Sequence, residues 1–250
     1  MEKISACIIT YNEEKKIRQC IESLIWCDEI IVMDSFSSDD TVHICQEYTP
    51  LVYKHDWLGY AGQKELAWSK ARNPWILWVD ADEEVSPGMK DEIINEFKNR
   101  NSSILAYRFP RQVLYLKKWI SHGEWYPDYK LRLFQKKAFR IVNRTLHERV
   151  EVPGKVKTID EPLYHYTYDN IYDHIQTINK FSSIAAQDKF MNNKRAHLWD
   201  LLIRPLWRFL RGYILKQGYR DGWQGLLIAI LTSFEVELKY MKVMELQEGF

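Results

Sequence analysis

The chain has 250 residues, 46% of them apolar and 28% charged, and a formal net charge of +1. This is enough for one sizeable core with an appendage, and the near-zero balance excludes the broadly basic surface of a general nucleic-acid binder. Ten Trp and fifteen Tyr are an unusually large aromatic complement, suited to carbohydrate stacking, a membrane interface or core filling.

In chain order, 3–10 reads as a strand, and Asn12 with Glu13 and Glu14 reads as the cap and first turn of a helix carrying Ile17, Ile21, Leu24 and Ile25. A second strand, 29–33, ends at Asp34, and a polar loop, 35–40, leads to a helix over 41–48. A short strand follows at 51–53, then a helix over 61–72. The run Trp75-Ile76-Leu77-Trp78-Val79 predicts a buried strand that delivers Asp80-Ala81-Asp82 at its carboxyl end. Ser86-Pro87 predicts a capped helix start, running to about Asn99. This β-α-β-α order predicts a mostly parallel, nucleotide-binding half over 1–100. Short β-type runs fill 101–167, around a long aromatic loop at 119–128, and completes a catalytic domain of 1–167. From 168 to 250 the pattern is helical, with breaks near Asn192, Gly212 and 218–222.

Cys7, Cys20, Cys27 and Cys45 form no Cys-x-x-Cys pair, and they read as reduced, mostly buried thiols of a cytosolic protein. No leader pattern opens the chain and no run of about 18 apolar residues occurs. Residues 194–220 carry seven Lys or Arg against the single acid Asp200, interleaved with Trp199, Trp207, Phe209 and several Leu and Ile. That mixture predicts an amphipathic segment lying on an anionic membrane surface; an amphipathic helix packed on the catalytic domain is the alternative.

Asp-x-Asp at a strand end supplies hard oxygen ligands for Mg²⁺ or Mn²⁺, which can hold a diphosphate. Four elements accompany it in order: Thr10-Tyr11-Asn12-Glu13, Val32-Met33-Asp34-Ser35, Pro127-Asp128 with Arg132-Leu133-Phe134, and His147-Glu148. Together with Asp80-Ala81-Asp82-Glu83 they resemble the family 2 glycosyltransferases of GT-A fold, in particular the branch with lipopolysaccharide core glucosyltransferases. The resemblance covers 3 to about 150 well and continues more loosely to Arg204-Pro205-Leu206-Trp207-Arg208-Phe209. One departure is Phe36, where many relatives carry Gly.

The resemblance implies an α/β fold, a Rossmann-like nucleotide-sugar-binding domain with a mixed sheet followed by a helical appendage. It implies an inverting, metal-dependent transfer of a hexose, glucose from UDP-glucose, onto a lipid-linked glycan such as the lipopolysaccharide inner core, at the cytosolic face of the inner membrane. Thr10, Tyr11, Asn12, Glu13, Asp34 and Ser35 would line the nucleotide pocket, with Asp34 on the base. Asp80 and Ala81 would sit near ribose or metal, Lys64 near a phosphate, and Asp82 on a divalent ion, with His165 able to close that site. The acceptor hydroxyl needs a carboxylate base, either Glu148, beside His147, or Asp128. Two rival readings are a sugar-1-phosphate nucleotidyltransferase, although Thr10–Glu13 lacks the glycine-rich phosphate loop it requires, and a catalytically inactive sugar-nucleotide-binding scaffold.

Overall fold

The protein is described from a computed structural model covering residues 2–99, 101–142, 149–168 and 170–249. It divides into two compact units, 1–111 with 128–166, and 112–127 with 167–250. The aromatic loop, expected within a continuous 1–167 domain, is therefore grouped with the helices.

The first unit opens with β1 (Ile4–Thr10), α1 (Ile17–Glu22), β2 (Glu29–Asp34), α2 (Thr41–Tyr48), β3 (Val52–Lys54), α3 (Gly59–Lys70) and β4 (Trp75–Asp80). β1 runs parallel to β2 on one side and β4 on the other, and β3 lies outside β2, giving the order β3-β2-β1-β4. β1 and β2 are buried almost throughout because helices cover a parallel sheet on both faces. Trp75 and Trp68 are fully buried on separate sides, in two distinct apolar clusters; each such side chain contributes roughly 1.5–3 kcal/mol.

Two local expectations are corrected. Asn12 does not cap a helix: it sits at φ 54°, its Oδ1 accepts from the Ser38 amide at 2.8 Å, and α1 begins only at Ile17. The helix expected at 61–72 is α3, two residues earlier, because Gly59 at φ 78° turns the chain into it. Ser86 behaves as expected, its Oγ accepting from the Met89 amide at 3.1 Å at the start of α4 (Pro87–Lys98).

Between β4 and α4 lies β5 (Glu83–Val85), followed after α4 by β6 (Ile104–Tyr115), β7 (Lys118–Trp119), β8 (Asp128–Gln135), β9 (Arg140–Val142), β10 (Arg149–Glu151), β11 (Lys155–Thr158) and β12 (Leu163–Tyr168). β8 pairs antiparallel to β4 and to β6, so the sheet becomes mixed, with the order β3-β2-β1-β4-β8-β6-β12-β5 and with β7 and β11 also paired to β6. This is the expected α/β GT-A architecture: a parallel nucleotide-binding half, an antiparallel extension and helices at the C-terminus.

The second unit contains α5 (Ile171–Met191), α6 (Leu198–Leu210), a π turn over Arg211–Leu215, a 3-10 turn over Gly218–Asp221, and α7 (Gly222–Glu248). α7 packs on both α5 and α6 around Ala186, Ala196, Tyr240 and Val243. Gly225 is required where the chain crosses itself, since a Cβ there would lie 1.9 Å from the Gly218 carbonyl oxygen. Trp125 packs edge-on against Tyr115 and near Tyr168 and His174, which gives it a core role rather than an open sugar-stacking face. Among the described residues no helix is long and apolar enough to cross a membrane.

Candidate active site

Strand register builds the site. Thr10 pairs with Asp34 and Ile9 with Asp80, so the last residues of β2, β1 and β4 form one row at the carboxyl edge of the parallel half. The strand order reverses there, and such a switch point opens a crevice for ligands. Thr10 is nearly buried, and its Oγ1 has no hydrogen-bond partner among the described residues. Tyr11 stands 58% exposed beside it.

The Asp34 carboxylate is fully buried and closes its own loop, accepting from the Ser37 amide at 3.0 Å and from the Ser37 hydroxyl. Ser35 Oγ accepts from Gln63 Nε2 at 3.0 Å, and Gln63 Oε1 is buried without a partner among the described residues. Phe36 follows at φ 61° and is more than half exposed, so it occupies the left-handed conformation that glycine would adopt more cheaply. The Glu13 amide donates to Thr41 Oγ1 at 2.8 Å, tying the loop after β1 to α2.

Around Asp80 the surroundings are cationic. Arg132, on β8 and 2% exposed, donates to Asp80 Oδ2 at 2.8 Å and also to Glu83. Lys64, 6% exposed on α3, holds its Nζ 3.8 Å from Asp80 Oδ1 and 4.0 Å from the Trp78 ring centre. The Arg132 guanidinium lies 3.5 Å from the centre of that same ring. Lys64 is thus buried beside Asp80 and Trp78 and is not a solvated helix lysine. Burial raises the Asp80 pKa, but Arg132, Lys64, His165 and Arg111 outweigh it and hold the carboxyl at about 2.

Asp82 lies two residues on, outside this cluster. β5 pairs antiparallel with β12, placing His165 opposite Glu83 and its Nε2 3.1 Å from Asp82 Oδ2. The other His165 ring nitrogen, Nδ1, is buried without a partner among the described residues. The two side chains offer one carboxylate and one imidazole on the same part-buried edge, a donor set that suits a divalent ion completed by phosphate oxygens and water. Asp80, already neutralised by two cations, fits such an ion less well. No cluster of three or more His, Cys, Asp or Glu side chains of metal-binding type occurs among the described residues.

The residues from 5 to 151 match the model of glycosyl transferase family 2. The chain is a family 2 glycosyltransferase. It is 34% identical to an uncharacterized glycosyltransferase of Rickettsia typhi, an alignment covering 98% of this chain and 88% of that one. It is 29% identical to the lipopolysaccharide core biosynthesis glycosyltransferase LpsC of Rhizobium meliloti, over 96% and 91% of the two chains. Among solved structures it is similar to residues 1–349 of Staphylococcus aureus TarS, with a TM-score of 0.47, 13% identity and coverage of 99% and 92%.

This membership sets aside the nucleotidyltransferase reading. In the glycosyltransferase, Asp128 starts β8 and pairs with Arg111 at 2.8 Å and Lys130 at 3.0 Å. Burial works to raise its pKa, but the two cations prevail and keep the carboxyl below the usual aspartate range. His147 and Glu148 lie outside the described residues. Sequence reasoning gave no role to Glu83, Arg111, Arg132 or Trp78. Glu83 is 1% exposed, accepts from the Asp80 amide at 3.1 Å and takes Arg132, so it organises the turn between β4 and β5. Glu83 and Arg132 both stood inside the quoted motifs; only their joint burial reveals the pairing.

Proposed function

We propose that this glycosyltransferase binds a nucleoside-diphosphate sugar at the carboxyl edge of β1, β2 and β4 and transfers the hexose with inversion to a lipid-linked glycan. The observation that carries the reading is the convergence of Thr10, Asp34, Asp80 and the Asp82–His165 pair on one sheet edge. The sugar is glucose and the nucleotide uridine, as the motif resemblance implies. Thr10, Tyr11, Asn12, Glu13, Asp34 and Ser35 form the nucleotide side of the pocket. Thr10 Oγ1 and Gln63 Oε1 supply unsatisfied polar atoms that a bound base or ribose can engage. Ala81, 5% exposed, leaves the turn between the two aspartates without a protruding side chain.

Asp82 and His165 would hold Mg²⁺ or Mn²⁺. Such an ion, when bound, stabilises the leaving diphosphate as a Lewis acid. Lys64 and Arg132 hold Asp80 ionised and aim its carboxylate, and Lys64 is placed to meet phosphate charge. The acceptor hydroxyl loses its proton as it attacks the anomeric carbon, and Glu148, assisted by His147, is the base we favour. Asp128 is the weaker alternative, since a carboxylate held low by two cations accepts protons poorly. Transfer is direct, with no covalent intermediate.

The acceptor is a lipid-linked glycan such as the lipopolysaccharide inner core, as the motif resemblance implies; in support, the relative LpsC is named for lipopolysaccharide core biosynthesis. The enzyme would work peripherally at the cytosolic face of the inner membrane, anchored through 194–220. In support, Trp199, Leu202, Ile203, Leu206 and Trp207 are all more than half exposed on α6, a strongly amphipathic stripe beside basic residues. Calorimetric titration with UDP, with and without Mn²⁺, tests the donor site. Metal-dependent UDP binding that vanishes in Asp82→Ala is expected; equally tight binding without metal would refute the metal role.

A further inference from the structure

The cleft between α6 and α7 concentrates positive charge beyond what its own carboxylates neutralise. It measures about 570 Å³ and is lined by Arg204, Arg208, Arg211 and Lys239, with Asp200 as the one acid of the lining. Arg204 bonds Asp200. Arg208 and Arg211 reach back to Glu124 at 2.9 and 3.5 Å, and Lys216 approaches the same carboxylate at 3.7 Å, so three cations share one nearly buried acid. Lys239 faces Glu235 but also Lys189, Arg204 and Arg208. Lys189, Arg204 and Lys239 all lie about 5 Å from the centre of the Tyr240 ring, at 5.0, 5.2 and 4.8 Å. Among the described residues, six cations meet three carboxylates across the cleft and its walls, an excess of three positive charges. Burial and these like charges hold the Lys239 ammonium below the usual lysine range.

Crowded cations of this kind are relieved by an anion, and guanidinium forks match phosphate oxygens in particular. Arg208 Nε is buried without a hydrogen-bond partner among the described residues. The rim indicates where the phosphate comes from. Trp199 and Trp207 line the cleft while standing 71% and 56% exposed. A cationic floor below an exposed aromatic edge matches a headgroup beneath acyl chains, whereas a free phosphate makes no use of the tryptophans.

We propose that the α6–α7 cleft is a binding site for the phosphate headgroup of an anionic membrane lipid. The proposal deepens the membrane reading above and rests on it. It differs from diffuse attraction because it assigns headgroup contact to particular side chains.

The test is sedimentation with phosphatidylcholine vesicles, with and without phosphatidic acid, for the wild-type chain, Arg204→Gln/Lys239→Gln and the control Lys194→Gln/Arg195→Gln. The control removes equal charge from outside the cleft, and thermal melts verify that all three fold. The cleft variant is expected to lose at least about tenfold more affinity for phosphatidic-acid vesicles than the control, because diffuse attraction to the anionic surface falls equally in both and only the cleft variant also loses charge-assisted contacts to the headgroup. Equal losses would overturn the headgroup site while leaving membrane docking intact. No vesicle binding by the wild type would overturn both. Inorganic phosphate binding without vesicles as tightly as phosphatidic acid would assign the cleft to a free anion and overturn the lipid.

Discussion

Arg132 donates to Asp80 at 2.8 Å while its guanidinium carbon lies over the Trp78 ring, 3.5 Å from the ring centre. The contact joins β8 to the end of β4, so the antiparallel extension of the sheet orients an aspartate of the parallel half. Arg132→Met would leave Asp80 and Glu83 without their shared cation. We expect a loss of about 3–5 kcal/mol in stability, the cost of breaking a buried pair on one side, together with loss of sugar transfer. Urea denaturation and a transfer assay check both, and a fully active, fully stable variant would contradict this role.

Asp82 and His165 should act as a pair. His165→Ala is expected to weaken Mn²⁺ binding by about 10–100-fold, in the range seen when metal-site partners are removed, without shifting the melting temperature by more than a few degrees. Asp82→Ala should abolish transfer with the fold intact. Metal titrations followed by differential scanning fluorimetry separate these outcomes. An unchanged Mn²⁺ affinity in His165→Ala would remove it from the site.

The two base assignments diverge in size. Glu148→Gln should lower kcat by about 10²–10⁴-fold, the usual contribution of a positioned general base. Asp128→Asn should lower it far less, because Arg111 and Lys130 already engage that carboxylate. A larger loss in Asp128→Asn than in Glu148→Gln would reverse the assignment.

His174 makes the helical unit sensitive to acid. It is 2% exposed, stacks on Tyr168 at 4.4 Å and meets the Tyr115 hydroxyl at 2.9 Å through Nδ1. Burial pulls its pKa down to about 4. The folded state thus disfavours the protonated ring, and its contribution is complete above the unfolded pKa near 6.5 and is lost as pH falls from there toward 4. The loss is on the order of 3 kcal/mol. Urea midpoints between pH 7.5 and 4 should show it, and His174→Phe should flatten that part of the profile.

Phe36 gives a backbone test. At φ 61° it carries strain that a β-branched residue bears worst. Phe36→Val should destabilise the protein by more than about 1 kcal/mol, while Phe36→Gly stays within about 1 kcal/mol of the wild type because relieved strain offsets added chain entropy. Equal effects of both substitutions would show that the loop does not need this conformation.

Much of the fold was legible because its signals are local. Short apolar runs, Ser86-Pro87 and the order of strands and helices placed β1, β2, α2, β4 and α4 within a residue or two. Asn12 misled because an Asx side chain caps a loop as readily as a helix, and here the Ser38 amide competes successfully. The loop at 119–128 was legible only as a long aromatic loop. Its anchoring was not: Asp221 takes the Ser121 and His122 amides at 3.1 and 2.7 Å, bonds spanning about a hundred residues that no local pattern announces.

The amino-acid sequence alone determined the family, the order of the motifs and the arrival of Asp34 and Asp80 at strand ends, because motif spacing and strand periodicity are properties of neighbouring residues. The tertiary structure decided which aspartate faces two cations and which faces a histidine. Asp80 and Asp82 are two positions apart and chemically identical; Arg132, Lys64 and His165 come from distant strands and a helix to make them different. Long-range strand pairing sets that distinction, and it exists only once the chain has folded.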